Sequence, residues 1–94
     1  MLVHGFSVPS YILDPVYVLL SERSYCVIAL DLYGRGFSEN VNEPYTDRLF
    51  AEQTLQLLDN LNIDRAVFLG LSNGGRVISK IADLKPNSVE ALIY

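Results

Sequence analysis

Four short, apolar, β-rich runs alternate with stretches of helical periodicity, and that alternation restricts the fold more than any other feature. The runs cover residues 1–3, 25–31, 65–70 and 88–94. Residues 1–3 read as the end of a strand. Asp14-Pro15 then suits a helix start, with Asp as N-cap and Pro at the first helical position. Val16, Leu19 and Leu20 follow at helical spacing and carry that helix to about Ser24. Residues 25–31 and 65–70 each form a continuous run, the pattern of a strand buried on both faces. Between them, Phe50, Leu57, Leu58 and Leu61 mark one face of a helix over 45–61, with Thr46 or Asp47 as its cap. A third helix is expected over 73–85, with Val77, Ile78, Ile81, Ala82 and Leu84 apolar and Pro86 just beyond it. Strands alternating with helices imply the α/β class, a parallel sheet of about four strands with helices on both faces.

Ninety-four residues make one small domain. Half of them are hydrophobic and 19% are charged, a globular balance. A net charge of −4 without a basic block gives nucleic acid no electrostatic footing. No apolar stretch approaches the roughly 18 residues that a membrane span needs, and no basic leader precedes an apolar core. Cys26, the single cysteine, lies in an apolar run and is expected to be a small core residue. A lone thiol suits a reducing compartment, so a cytoplasmic location is expected.

Residues 70–75 read Gly-Leu-Ser-Asn-Gly-Gly and sit where the third run meets the third helix. A glycine-rich turn is one reading. A phosphate-binding turn is another, but the stretch lacks both the G-x-G-x-x-G spacing and the Lys-Ser/Thr of a P-loop. The third reading is a nucleophile elbow, Gly-x-Ser-x-Gly, centred on Ser72. A serine on so sharp a strand-to-helix bend leaves no room for side chains two positions away, and Gly70 and Gly74 remove them. Gly75 would let the helix pack close to the strand. His4-Gly5-Phe6 forms a second glycine turn after the first run. In parallel sheets ligands gather at the carboxyl ends of the strands, where both turns would lie.

With these residues in place, the chain resembles the α/β-hydrolase fold family from end to end. Val3-His4-Gly5-Phe6 resembles that family's His-Gly turn, and residues 31–38, Asp-Leu-Tyr-Gly-Arg-Gly-Phe-Ser, resemble its Asp-x-x-Gly-x-Gly-x-Ser loop. Residues 57–75 resemble the helix, strand and elbow that lead to the nucleophile. The match implies an incomplete core over residues 1–94, from the family's third strand through the start of its sixth. It implies Ser72 as nucleophile toward a small-molecule acyl substrate, with the backbone N–H groups of Phe6 and Asn73 forming the oxyanion hole. It further implies structural roles for His4 and Gly5 in their turn and for Asp31 in its loop, and neither a metal nor a cofactor. Arg35, Glu39 and Glu43 are expected to form solvated loop surface. Serine rather than aspartate at the elbow speaks against the branches that use a carboxylate nucleophile.

The family order is serine, then acid, then histidine. After Ser72 this sequence carries only Asp83 and Glu90 as carboxylates and has no histidine. Asp83 falls on the helix that the serine opens, about three turns away. Isolated, the 94 residues are expected to be nearly inert, and self-associating or marginally stable through apolar sheet edges.

Overall fold

The computed structural model describes residues 1–5, 9–36 and 38–94. Its described elements are strand β1 (Leu2–Val3), helix α1 (Asp14–Glu22), helix α2 (Asp47–Asn60), strand β2 (Ala66–Gly70), helix α3 (Asn73–Leu84) and strand β3 (Val89–Ile93). Single 3-10 turns precede α1 (Ser10–Leu13) and β3 (Pro86–Ser88). The three strands lie parallel in the order β1-β2-β3. Leu2 pairs with Leu69 and Val3 with Gly70, while Phe68 pairs with Leu92 and Leu69 with Ile93.

The expected fourth strand is reduced to a bridge. Leu2 N–H donates to the Ile28 carbonyl at 2.8 Å, and Leu2 bridges Ala29 in parallel. The 25–31 run therefore lies beside β1 but forms no regular strand, and it is not buried on both faces. Tyr25 is 66% exposed and Cys26 is exposed, not a core residue. Burial on both faces requires an element over each, and nothing among the described residues covers the start of this run.

Spatially, the run at 25–31 flanks β1 on one side and β2 flanks it on the other. The chain thus leaves β1 first to one side and then to the other, and the crevice between the carboxyl ends of β1 and β2 is the switch point.

One face of the sheet holds the core. Phe68 from β2 and Val3 from β1 meet Phe50, Ala51 and Leu58 of α2 and Val77, Ile78 and Ile81 of α3, all buried. Fully burying each large side chain contributes roughly 1.5–3 kcal/mol. Helix α2 begins where Thr46, in extended conformation, accepts the Leu49 N–H at 3.0 Å. Its inward stripe runs Phe50, Ala51, Thr54 and Leu58, and Leu61 is exposed. Thr54 is tolerated in the core because its hydroxyl donates to the Phe50 carbonyl at 2.9 Å.

The opposite face is thinly covered. Leu2 and Leu13 are buried there, apart from the main cluster, and α1 adds no fully buried side chain. Strand β2 turns Val67 to this face at 39% exposure, so it too is buried on one side only. Asp14 lies inside α1 with Leu13 as the capping residue, because the 3-10 turn runs directly into the helix. Helix α1 stops at Glu22, ahead of Ser24, whose φ of 68° cannot continue it.

Candidate active site

Ser72 stands between β2 and α3 with φ 54° and ψ −117°. Positive φ costs a non-glycine residue energy, on the order of 1–3 kcal/mol, and persists only where the surroundings impose it. Here they do. Leu71 N–H donates to the Val3 carbonyl at 3.0 Å, which extends the β1–β2 pairing up to the bend. Beyond it, Gly74 N–H donates to the Leu71 carbonyl at 2.8 Å and Gly75 N–H to the Ser72 carbonyl at 2.9 Å, closing the first turn of α3.

Two glycines make this closure possible. A Cβ on Gly70 would stand 2.5 Å from the Gly74 carbonyl oxygen, and one on Gly74 only 2.2 Å from the Val3 carbonyl oxygen. Gly74 is therefore the residue that brings α3 down onto the sheet. Gly75 faces the ring of Tyr94 instead, where a Cβ would lie 3.0 Å from Cδ1. Its place is under that side chain rather than against the backbone of a strand.

The two glycine turns converge. A Cβ on Gly5 would fall 3.4 Å from Ser72 Cβ and 3.7 Å from the Asn73 nitrogen. Ser72 is exposed at this point, and Asn73 N–H has no acceptor among the described residues. Being the first N–H of α3, it also sits at the positive end of the helix dipole. The Asn73 side chain adds an amide nitrogen that is buried and unpartnered among the described residues. Phe6, the other expected oxyanion donor, lies outside the described residues.

His4 is fully buried and both ring nitrogens are engaged. Nε2 accepts the Leu32 N–H at 2.9 Å, so the proton belongs on Nδ1, which donates to the Gly5 carbonyl at 2.5 Å. The ring pins the His-Gly turn to the loop that begins at Leu32. Asp31 anchors the other side of that loop. Its Oδ1 accepts the Ser10 N–H at 2.8 Å, and its carbonyl accepts from the Ser38 hydroxyl and from Gln53 Nε2. Gly36 packs directly on the carboxylate. Glu39 and Glu43 are exposed as expected, whereas Arg35 is half-buried, with Nη1 donating to the Gly34 carbonyl at 3.3 Å.

From Ser72 an open groove of about 580 Å³ runs along α3 past Arg76, Ser79, Lys80 and Asp83, with Asp47 and Tyr94 on its walls. Arg76 Nη2 pairs with Asp47 at 2.9 Å and ties the first turn of α3 to the start of α2. Nothing in local sequence pattern signals that pair, since its members are separated by 29 positions. Asp83 pairs with Lys80 at 3.3 Å, at the far end of the groove. No three His, Cys, Asp or Glu side chains cluster as metal ligands among the described residues.

A parallel sheet with a strained serine at its switch point defines the class, and comparison with known proteins gives the family. The alpha/beta hydrolase fold family profile matches residues 1–94, and the chain belongs to that family. A putative non-heme haloperoxidase of Mycobacterium phage D29 is 35% identical over 91 residues, covering 97% of this chain and 33% of the relative. Among solved structures, a hydrolase from Pseudomonas aeruginosa PA01 superposes with a TM-score of 0.90 at 35% identity, over 97% of this chain and 34% of that one. A thermophilic esterase from Thermogutta terrifontis gives 0.92 at 28% identity, over 97% and 34%. The chain thus spans about a third of the length of these proteins, and its relatives include hydrolases and esterases.

Proposed function

We propose that this chain carries the nucleophile of a serine hydrolase acting on carboxylic esters, thioesters or similar acyl groups. The observation that carries the reading is the positive φ of Ser72, held beside Gly5 and an Asn73 N–H that has no acceptor among the described residues. In this mechanism Ser72 Oγ attacks the acyl carbonyl and gives up its proton to a base. The carbonyl oxygen becomes an oxyanion received by the N–H groups of Asn73 and Phe6. Each such donor is worth about 3–4 kcal/mol in the transition state. The leaving group then departs with a proton, and water hydrolyses the acyl-enzyme.

The base is not among these 94 residues. His4, the one histidine, has both nitrogens engaged inside the fold, and Asp83 is paired with Lys80. Losing triad members costs as much as about six orders of magnitude in rate, so on this reading the acid and the histidine come from polypeptide outside this sequence. The second reading is a non-catalytic, truncated or decayed member of the fold.

A chimera separates the two. This chain replaces the matching third of the phage relative within that full-length protein, and the product is treated with a fluorophosphonate probe. Labelling that disappears in Ser72→Ala is the expected result. A folded chimera that takes no label overturns the hydrolase reading.

A further inference from the structure

We propose that Gln53 of α2 is a positioning residue for the oxyanion hole, acting through Leu32 and His4 on the peptide that follows Gly5. The inference rests on the serine-hydrolase reading above and adds to it a residue that lies on neither glycine turn.

Gln53 commits its whole side-chain amide to one stretch of backbone. Oε1 accepts the Tyr33 N–H at 3.0 Å, and Nε2 donates to the Asp31 carbonyl at 3.1 Å. These two groups flank Leu32. A parallel strand bonds its neighbour in the same way, through the carbonyl before a residue and the N–H after it. The side chain thus stands in for a strand just beyond the 25–31 run. Leu32 N–H itself is taken by His4 Nε2 at 2.9 Å, so the segment is gripped both from α2 and from the His-Gly turn.

His4 carries the restraint onward. With Nε2 held as the acceptor, Nδ1 keeps the proton and donates to the Gly5 carbonyl at 2.5 Å. That carbonyl shares a planar peptide with the N–H proposed as the second oxyanion donor, so a ring that fixes one fixes the other. A Cβ on Gly5 would lie 3.4 Å from Ser72 Cβ, and a tilt of this peptide is therefore felt where the oxyanion forms. Leu32 and His4 are buried, which shields the inner bond from water. Gln53 is half-buried and is the outermost link, the one that can be cut without emptying the core. Helix α2 then governs both donors. It reaches the first turn of α3, which begins at Asn73, through Asp47 and Arg76, and the His-Gly turn through Gln53.

The test uses the chimera with the phage relative and follows fluorophosphonate labelling over time, together with turnover of p-nitrophenyl acetate. Gln53→Met keeps the length and bulk of the side chain and removes both hydrogen bonds. It is expected to slow the labelling rate constant and kcat about tenfold, a fraction of what losing an oxyanion donor outright costs. KM is expected to change less than about twofold, and every site is labelled in the end. A residue that serves stability alone would lower the number of labelled sites and leave the rate at each folded site unchanged. Gln53→Ala is expected to give the same slow rate at a lower urea midpoint. A folded Gln53→Met chimera that labels within about twofold of the parent rate overturns the proposal, as does a loss confined to KM or to the number of sites. If neither variant folds, Gln53 is a stability residue, which overturns it too. Failure of the underlying reading looks different: the chimera with Gln53 in place then takes no label, and both inferences fall.

Discussion

The two faces of this sheet do unequal work. On one, α2 and α3 seal Phe50, Phe68, Val77, Ile78 and Ile81 completely. On the other, α1 leaves Tyr17, Val18 and Leu19 between 40 and 52% exposed, and Val67 and Ile93 have little over them. The sealed face also builds the site, because α3 supplies both the floor of the core and the first turn beyond Ser72. Stability and the geometry of the bend therefore rest on the same packing.

The contrast predicts a steep gradient in the cost of mutation. Phe68→Ala empties the middle of the sealed face and is expected to cost about 3–5 kcal/mol in urea unfolding. A loss below about 1 kcal/mol would mean that the core can be repacked without it. Thr46→Ala removes the N-cap of α2 and is expected to cost about 1 kcal/mol, with Thr46→Ser restoring most of it. Leu19→Ala, on the thinly covered face, is expected to change stability by no more than about 0.5 kcal/mol. A larger loss there would show that another element covers α1.

Local chemistry was the legible part. The Thr46 cap, the apolar stripe of α3 and the seating of Gly70 against Gly74 rest on neighbours within a few positions, so their spacing carries the information, whereas the contact of Gly74 with the Val3 carbonyl does not. Cys26 and the 25–31 run were misleading for the opposite reason. A continuous apolar run states a preference for burial, but the elements that bury it are distant in sequence. Helix α2 shows a milder case. Its stripe extends through Ala51 and Thr54 rather than Leu61, and Thr54 betrays itself only through the i−4 carbonyl its hydroxyl can reach. At the site, the bend could be read from glycine spacing. The closeness of Gly5 to Ser72 needed the pairing of β1 with β2, which no spacing encodes.

The seating of Gly74 under the Val3 carbonyl bears on how this molecule breathes. With Leu71 bonded to Val3, Gly74 bonded to Leu71 and no clearance between helix and strand, the bend cannot swing open while β1 and β2 stay joined. Amide exchange at Leu71 and Gly74 should then proceed through the same large opening that exposes Phe68, rather than through a private fluctuation. Catalytic loops commonly belong to the least cooperative parts of a fold. Here the bend at Ser72 is expected to open only together with the core.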